Sequence, residues 1–228
     1  MTGPDSMAPS CPAPSGAADA LHPLPDGRAL HLLPERAAWL PEAGLLLVAD
    51  VHVGKAASFR RLGVPVPRGT TQANLARLDA LLARFPAARR LVFLGDFLHA
   101  ASGRASATLA ALNTWRQGHA GDPPGALGIE VVEEPWLHAG LALCHDPATT
   151  RPPGVPGVAG HLHPVACLGR GFEAVRLPCF HARADGVLVL PAFGEFTGGA
   201  RVAAGAGDTL YLVTDRCVAL HPRHARTS

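Results

Sequence analysis

The sequence predicts an α/β fold built around two buried parallel strands, and three observations support this prediction. The runs Leu45–Ala49 and 91–94 are continuously apolar and too short for helices, which is typical of strands covered on both faces. Between them, residues 70–85 place leucines at helical spacing before a proline. From residue 129 onward, short apolar runs alternate with turns, which predicts a series of short strands.

Length and composition fit one globular domain. The chain has 228 residues, of which 48% are hydrophobic and 17% charged, with a mean hydropathy of +0.17; this accommodates one α/β domain with a sizeable core. We expect a disordered tail over residues 1–20, the domain over 21–220 and a frayed end over 221–228. A net charge of +2 gives no basis for a strongly cationic nucleic-acid-binding surface.

Cysteine usage and hydropathy predict a cytoplasmic protein that does not enter a membrane. The 5 cysteines are widely spaced, without a Cys-x-x-Cys pair, and their odd number indicates reduced thiols. No apolar run approaches the roughly 18 residues that cross a bilayer, and the start of the chain lacks a secretory signal pattern.

Both buried strands end in an acidic residue. The strand 45–49 is followed by Asp50 and, two residues later, by His52, whereas the strand 91–94 is followed by Asp96. Strand, helix and strand in this order imply a right-handed crossover between parallel neighbours. Because ligands bind at the carboxyl ends of such strands, Asp50 and Asp96 are expected at one edge of the sheet.

Residues near these strand ends are candidates for contact with a substrate. The loop 55–69 carries Lys55, Arg60 and Arg61. These residues form either a rim that faces a phosphate or an ordinary solvated loop, and the sequence favours neither interpretation over the other. His99 follows the second strand end. Its position favours a side chain that faces the metal or the substrate. The alternative is a loop histidine without a functional role.

An expected strand is missing from the middle of the chain. Ser106 can begin a helix, after which an alternating fold requires another buried strand. Residues 116–124 are instead polar and rich in turn formers. Two later strands end in histidines, one in His145 and the other in the pair His161 and His163.

A candidate metal centre follows from the residues at these strand ends. They are Asp50, His52, Asp96, His145, His161 and His163. Mixed carboxylate and imidazole ligands suit Mn, Fe or Zn better than Ca or Mg. We expect Asp96 to bridge two ions, an arrangement that clamps the attacking and leaving oxygens of a phosphoryl displacement.

The motifs that contain these residues carry a family resemblance. They resemble the motifs of calcineurin-like metallophosphoesterases: Asp50-Val51-His52, Gly95-Asp96-Phe97-Leu98-His99, Cys144-His145 and Gly160-His161-Leu162-His163. A closer resemblance is to the ligase-associated DNA damage response endonucleases of bacteria, and it rests on the stretches 49–55, 63–67, 160–164, 177–180 and 190–194. It covers roughly residues 25 to 220.

The resemblance implies a four-layer αββα sandwich that hydrolyses phosphodiesters in DNA repair. It also implies two divalent ions, usually manganese, with zinc or iron as alternatives. The substrate would be a phosphodiester such as nucleic acid, and the partners a DNA-repair ligase, helicase or exonuclease.

Residue roles carried over from the resemblance complete the expectation. The first ion would be held by Asp50, His52 and His163. Asp96 would bridge, and His145 and His161 would hold the second ion. In addition to these carried-over roles, His99 and His163 are the candidate catalytic residues, and the position of the loop 55–69 makes Lys55, Arg60 and Arg61 the candidate substrate-binding residues.

One family motif is absent. The related enzymes have a Gly-Asn-His-Asp or Gly-Asn-His-Glu block, in which Asn ligates the second ion and His helps to protonate the leaving group. Its place is occupied by Gln117-Gly118-His119-Ala120. We therefore expect a weak second metal site and reduced activity, because general acid catalysis contributes roughly 10²–10⁴-fold.

Three functional hypotheses remain open at this stage. The first is a metal-dependent phosphodiesterase that is impaired by the missing block. The second is a catalytically inactive metal-binding relative that acts as an interaction module. The third, a small-molecule phosphomonoesterase, shares the metal chemistry and differs in pocket shape. The sequence is either that of an impaired relative or a deleted version of a working enzyme.

Overall fold

Two β-sheets carry the strand ends singled out above. The computed structural model describes residues 18–61, 63–65, 69–98, 106–118, 129–169, 174–195 and 197–221. The first sheet has the order β1 (Ala20–Pro23), β2 (Ala29–Leu33), β3 (Ala37–Leu40), β4 (Leu45–Ala49) and β5 (Arg90–Leu94). Its strands are antiparallel except for β4 and β5, which are parallel. The parallel pair predicted from the two apolar runs is confirmed.

The second sheet is formed by the later, shorter strands. They are β6 (Trp136–His138), β7 (Leu141–Leu143), β8 (Gly157–Ala159), β9 (Pro164–Leu168), β10 (Val175–Ala182), β11 (Val187–Val189), β12 (Ala200–Arg201), β13 (Thr209–Val213) and β14 (Val218–Leu220). The order is β12-β9-β10-β11-β8-β7-β6, and β13 pairs with both β10 and β14. Strand β8 runs parallel to β7 and to β11, so the carboxyl ends of these three strands lie together.

The described residues contain a short 3-10 helix (Pro41–Ala43) and three α-helices: α1 (Lys55–Arg61), α2 (Thr70–Arg84) and α3 (Ser106–Gly118). Helix α2 matches the prediction, although it is preceded by Gly69 in a left-handed conformation, with φ 86°, and not by a capping side chain. The prediction of a loop from residue 55 is wrong for α1. Its residues, mostly Lys, Ala, Phe and Arg, tolerate a short helix, and the prolines that indicated a loop come only later.

The packing has three layers among the described elements. One core cluster lies between the sheets, where Leu45 and Leu47 of the first sheet meet Phe180 and Leu188 of the second. A second cluster covers the outer face of the first sheet with leucines of α2 and α3. The result is a helix–sheet–sheet sandwich. The fourth, helical layer that the resemblance implies is not among the described elements.

Strand β5 is the last strand of its sheet. In the part of the chain that the structure describes, no strand lies between α3 and β6. A cavity of about 590 Å³ runs beside β5, with Trp115 and Trp136 in its walls. The sequence has residues 117–120 where the related enzymes have the missing block. The second half of this stretch belongs to residues 119–128, which lie outside the described residues.

Several features of the ends and thiols differ from expectation. His221, assigned to the frayed end, is 8% exposed, and its amide donates to the carbonyl of Leu210. Cys144, Cys167 and Cys179 are free thiols, as expected, but Cys217 is disulfide-bonded, so the expectation of reduced thiols is wrong for that residue. None of the helices in the described part of the chain has the length and apolarity that a bilayer crossing requires.

Candidate metal centre

The carboxyl ends of strands from both sheets meet at one place. Asp50 follows β4 and its amide donates to the carbonyl of Leu94, the last residue of β5. The sheets are joined at this end by a parallel bridge between Ala49 and Ala192. Residues that follow β7 and β8 therefore reach the same point as residues that follow β4 and β5.

The first group of candidate ligands consists of Asp50, His52 and His163. The Nε2 atoms of His52 and His163 are 3.3 Å apart, with the rings nearly perpendicular. Asp50 Oδ2 lies 3.5 Å from His163 Nε2. One ligand atom from each residue lies within 4.8 Å of the others, which is compatible with a single ion between them.

The second group consists of Asp50, Asp96 and His145, so it shares Asp50 with the first. Asp50 Oδ1 lies 3.4 Å from His145 Nε2, and His145 Nε2 lies 3.2 Å from His161 Nδ1. Asp96, for which bridging was predicted, approaches the first group through His52, with Oδ2 3.7 Å from Nδ1. In the geometry, Asp50 is the residue common to both groups.

The donor set fits divalent metal ions. The side chain of Asp50 is fully buried, and its Oδ1 finds no hydrogen-bond partner among the described residues. A buried carboxylate oxygen without a partner costs free energy unless a cation or a proton approaches it. Imidazole nitrogens and carboxylate oxygens together suit Mn, Fe or Zn.

Backbone strain is concentrated at four of the candidate ligands. Asp50, His52, His161 and His163 have φ values of 51°, 49°, 70° and 45°. Left-handed conformations cost residues with a Cβ roughly 1–2 kcal/mol each and persist where the surroundings enforce them. Asp50 and His52 form one pair and His161 and His163 the other, with one residue between the members of each pair. Both pairs thus share an unusual backbone geometry that points their side chains into one site.

Two glycines leave the space that these side chains need. A Cβ at Gly95 would lie 2.0 Å from His145 Cδ2, and one at Gly160 would lie 2.7 Å from Asp50 Oδ2. Gly95 also has φ 89°, a conformation that favours glycine. Any larger residue at either position would displace a candidate ligand.

The charge state of the site favours metal binding at neutral pH. Burial and, to a smaller extent, the nearby charges of Lys55 and His163 lower the pKa of His52 from 6.5 to about 4, so this imidazole is neutral at neutral pH. Burial by itself raises the pKa of Asp50, but the contact with His163 and the amide of His161 outweigh it, and the net pKa lies below its ordinary value. His161 N donates to Asp50 Oδ2 at 2.7 Å.

The predicted substrate-binding residues lie on α1, which begins three residues after His52. Burial lowers the pKa of Lys55 below its ordinary value, and the charges of Asp96 and Asp50 offset part of this effect. Arg60 is exposed, and the backbone of Arg61 ends the helix. Roles in substrate binding stay predictions. His99 lies outside the described residues.

Sequence reasoning missed the residues that hold the ligands in place. Asn74 of α2 is 2% exposed and donates to the carbonyl of Val51. The carbonyl of Thr197 lies 3.0 Å from His163 Nδ1. Glu134 Oε2 accepts the amide of His145 at 2.8 Å. No motif marks these positions, because each acts through a backbone group far away in sequence.

Comparisons with known proteins identify a relative. No protein-family model matches the chain, and no curated protein matches it. The crystal structure of nuclease MPE from Pseudomonas putida matches with a TM-score of 0.74 and 42% sequence identity, covering 89% of this chain and 100% of that one. The chain belongs to the same family as this nuclease. Kinship with nuclease MPE and the clustered carboxylate and imidazole groups support a metal-dependent hydrolase of the nuclease or phosphoesterase kind.

Proposed function

We propose that this protein is a metal-dependent phosphodiesterase that hydrolyses nucleic acid, with Mn²⁺ as the metal and a role in DNA repair. The observation that carries the proposal is the pair of ligand groups that share the buried Asp50 at the meeting point of the two sheets. The family relation to nuclease MPE supports nucleic acid as the substrate class. The proposed partners are other DNA-repair enzymes, a ligase, helicase or exonuclease.

The residues would divide the chemistry as follows. Divalent ions held by the two groups would supply Lewis acidity, which lowers the pKa of a water molecule and offsets the charge of a phosphate. Asp50 would be shared, His52 and His163 would complete the first site, and Asp96 and His145 the second. His161, whose Nδ1 is 3.2 Å from His145 Nε2, would complete or orient the second site.

The residues around the centre would serve the substrate. Lys55 begins α1, three residues after the candidate ligand His52, and its ammonium group would bind a phosphate oxygen of the substrate. Arg60 and Arg61 on the same helix would extend this contact to neighbouring phosphates. His99 is the proposed group for proton transfer to the leaving oxygen, whereas His163, with Nδ1 at the carbonyl of Thr197, would serve as a ligand of the first site.

Hydrolysis assays with metal-reconstituted protein test this proposal. We expect Mn²⁺ to stimulate cleavage of a chromogenic phosphodiester and of end-labelled DNA or RNA by metal-stripped protein, and Asp50→Asn to abolish it. Asp215→Asn is the matched control, because Asp215 is exposed in a hairpin turn of the second sheet. Well-folded protein with two bound ions and no diester hydrolysis would contradict the proposal.

A non-catalytic metal-binding module is the second candidate. It is favoured by the absence from the sequence of the Gly-Asn-His-Asp or Gly-Asn-His-Glu block, which removes one ligand and one general acid. This candidate predicts that Mn²⁺ raises thermal stability without turnover of any phosphoester. Turnover that disappears in Asp50→Asn and persists in Asp215→Asn would exclude it. Cleavage of monoesters alone would point instead to a phosphomonoesterase.

A further inference from the structure

Helix α2 carries a buried side-chain amide, that of Asn74, at a position where an apolar residue could pack equally well. Asn74 is 2% exposed and lies beside Leu75 and Leu78, which pack into the outer core of the first sheet. Helix positions of this kind are normally apolar, because a buried polar group must find partners to offset its lost hydration. Asn74 finds two, and both are backbone groups near the metal centre.

The first partner is the turn that carries two candidate ligands. Asn74 Nδ2 donates to the carbonyl oxygen of Val51 at 3.2 Å. Val51 lies between Asp50 and His52, which both have positive φ values, 51° and 49°. A residue with a Cβ leaves the left-handed region unless its surroundings hold it there. A hydrogen bond to the carbonyl between the two strained residues supplies such a restraint.

The second partner lies in residues 193–195, which are linked through Thr197 to a third ligand. Asn74 Oδ1 accepts the amide of Glu195 at 3.4 Å. Thr197 Oγ1 donates to the carbonyl of Gly194 at 3.2 Å, and the carbonyl of Thr197 lies 3.0 Å from His163 Nδ1. A carbonyl at one ring nitrogen fixes the tautomer that leaves the other nitrogen free for a metal.

The two segments also touch each other directly. Gly194 N donates to the carbonyl of Asp50 at 3.2 Å, and a Cβ at Gly194 would lie 2.3 Å from the carbonyl oxygen of Val51. One helical turn beyond Asn74, Arg77 Nη1 donates to the carbonyl of Phe193 at 2.7 Å. Helix α2 therefore holds both segments from the same side.

We propose that Asn74 is a positioning residue, which sets the geometry of the first metal group by holding the Asp50–Val51–His52 turn against residues 193–195. The inference rests on the proposed function, since it concerns the metal site that function requires. Without the amide, the turn can relax toward ordinary φ values, and the ligand atoms of Asp50, His52 and His163 separate. We therefore expect weaker binding of the metal and a changed coordination geometry, in addition to any loss of fold stability.

Asn74→Asp is the informative substitution because it removes one hydrogen bond and changes almost no volume, although it adds a buried charge. The carboxylate can still accept the amide of Glu195 but cannot donate to the carbonyl of Val51. We expect the dissociation constant for the first Mn²⁺, measured by electron paramagnetic resonance, to rise about tenfold, the equivalent of about one hydrogen bond. We also expect the visible absorption spectrum of the Co²⁺-substituted protein to change. Asn74→Ala introduces no buried charge and should show the same loss of Mn²⁺ affinity and the same kind of spectral change. It replaces Asn74→Asp in the experiment if that variant does not fold.

Leu78→Ala is the matched control on the same helix. Leu78 is fully buried in the outer core, in the same cluster as Val51 and Phe193, so its truncation lowers the stability of the metal-free protein but leaves the two hydrogen bonds of Asn74 in place. We expect its Mn²⁺ affinity and Co²⁺ spectrum to equal those of the wild type. If Asn74→Asp and Asn74→Ala also keep both wild-type values, or if Leu78→Ala loses affinity to the same degree, the positioning role is refuted.

The same measurements separate this inference from the proposed function. Wild-type protein that binds Mn²⁺ but hydrolyses no diester would refute the function, while a weakened metal site in Asn74→Asp would still support the positioning role. An active enzyme whose Asn74 variants bind Mn²⁺ normally would refute the positioning role alone. Wild-type protein that binds no Mn²⁺ would overturn both.

Discussion

Substituting Asp50 by Asn should remove the stabilisation that Mn²⁺ gives to the folded protein at both ligand groups. Asp50 Oδ1 faces His145 Nε2 at 3.4 Å, and Oδ2 faces His163 Nε2 at 3.5 Å. Asparagine has the same size and can still accept the amide of His161. It has one oxygen in place of two and no charge, so it is a poor ligand for two ions at once.

The expected magnitude follows from linkage between binding and folding. An ion present at about 100 times its dissociation constant stabilises the folded state by about 2.7 kcal/mol per site. For a domain of this length, about 1 kcal/mol shifts the melting temperature by about 2–4 °C. Each occupied site should therefore raise the melting temperature by about 5–10 °C. The wild type should show the effect of two sites, and Asp50→Asn almost none.

Thermal unfolding of metal-stripped protein with and without Mn²⁺ measures these shifts. Asp215→Asn, a surface substitution of the same kind, should respond to Mn²⁺ as the wild type does. His145→Ala should lose about half of the wild-type shift, because His145 belongs to the second group only. In the absence of metal, Asp50→Asn should be no more stable than the wild type, because the contact with His163 and the amide of His161 hold the pKa of Asp50 below its ordinary value and the folded state therefore favours the charged carboxylate.

The outcome also decides which carboxylate is shared. A full Mn²⁺ shift in Asp50→Asn would refute the reasoning. If Asp50→Asn keeps half of the shift while Asp96→Asn loses all of it, the bridge is Asp96, as the sequence predicts, and not Asp50. Loss of the whole shift in Asp50→Asn alone would assign the bridge to Asp50.

Three further substitutions test other parts of the structure. Gly95→Ala should abolish binding of the second ion, measured by Mn²⁺ stoichiometry, because the new Cβ would lie 2.0 Å from His145 Cδ2; unchanged stoichiometry would contradict this. Leu78→Ala should cost about 2–5 kcal/mol in chemical denaturation, as expected for a fully buried leucine, and a loss below 1 kcal/mol, roughly that of a surface change, would be inconsistent with its packing. Asp208 accepts hydrogen bonds from His181 and two amides, which together outweigh the effect of burial and lower its pKa from 3.8 to about 2. Because the folded pKa is the lower one, its contribution to stability is present above pH 3.8 and is lost as pH falls toward 2. Asp208→Asn should therefore destabilise the protein by about 1–2 kcal/mol at neutral pH and weaken the acid dependence of unfolding in that window; an unchanged acid profile would show that the pair does not contribute.

Part of the fold could be predicted because the spacing of apolar residues in the sequence indicates directly which side chains are buried. The continuous apolar runs at β4 and β5 predicted a parallel pair, and the leucine spacing in α2 predicted its buried face. Helix α1 was missed, since seven residues carry too little periodic signal to outweigh the prolines that follow. The pairing of nine strands in the second sheet was equally out of reach, because short antiparallel and parallel strands have similar sequence patterns.

The sequence by itself determined which residues can bind metal and at which strand ends they lie. Asp50, His52 and His163 could be chosen because acids and imidazoles recur after several buried strands of the same chain, and six such positions together are far more specific than any one of them. Only the tertiary structure decided that Asp50 belongs to both groups and that Asn74 holds two ligand segments together. The physical reason is that shared ligands and backbone hydrogen bonds depend on distances between atoms more than a hundred residues apart in the chain, as between Asn74 and Glu195, and no local pattern encodes such distances.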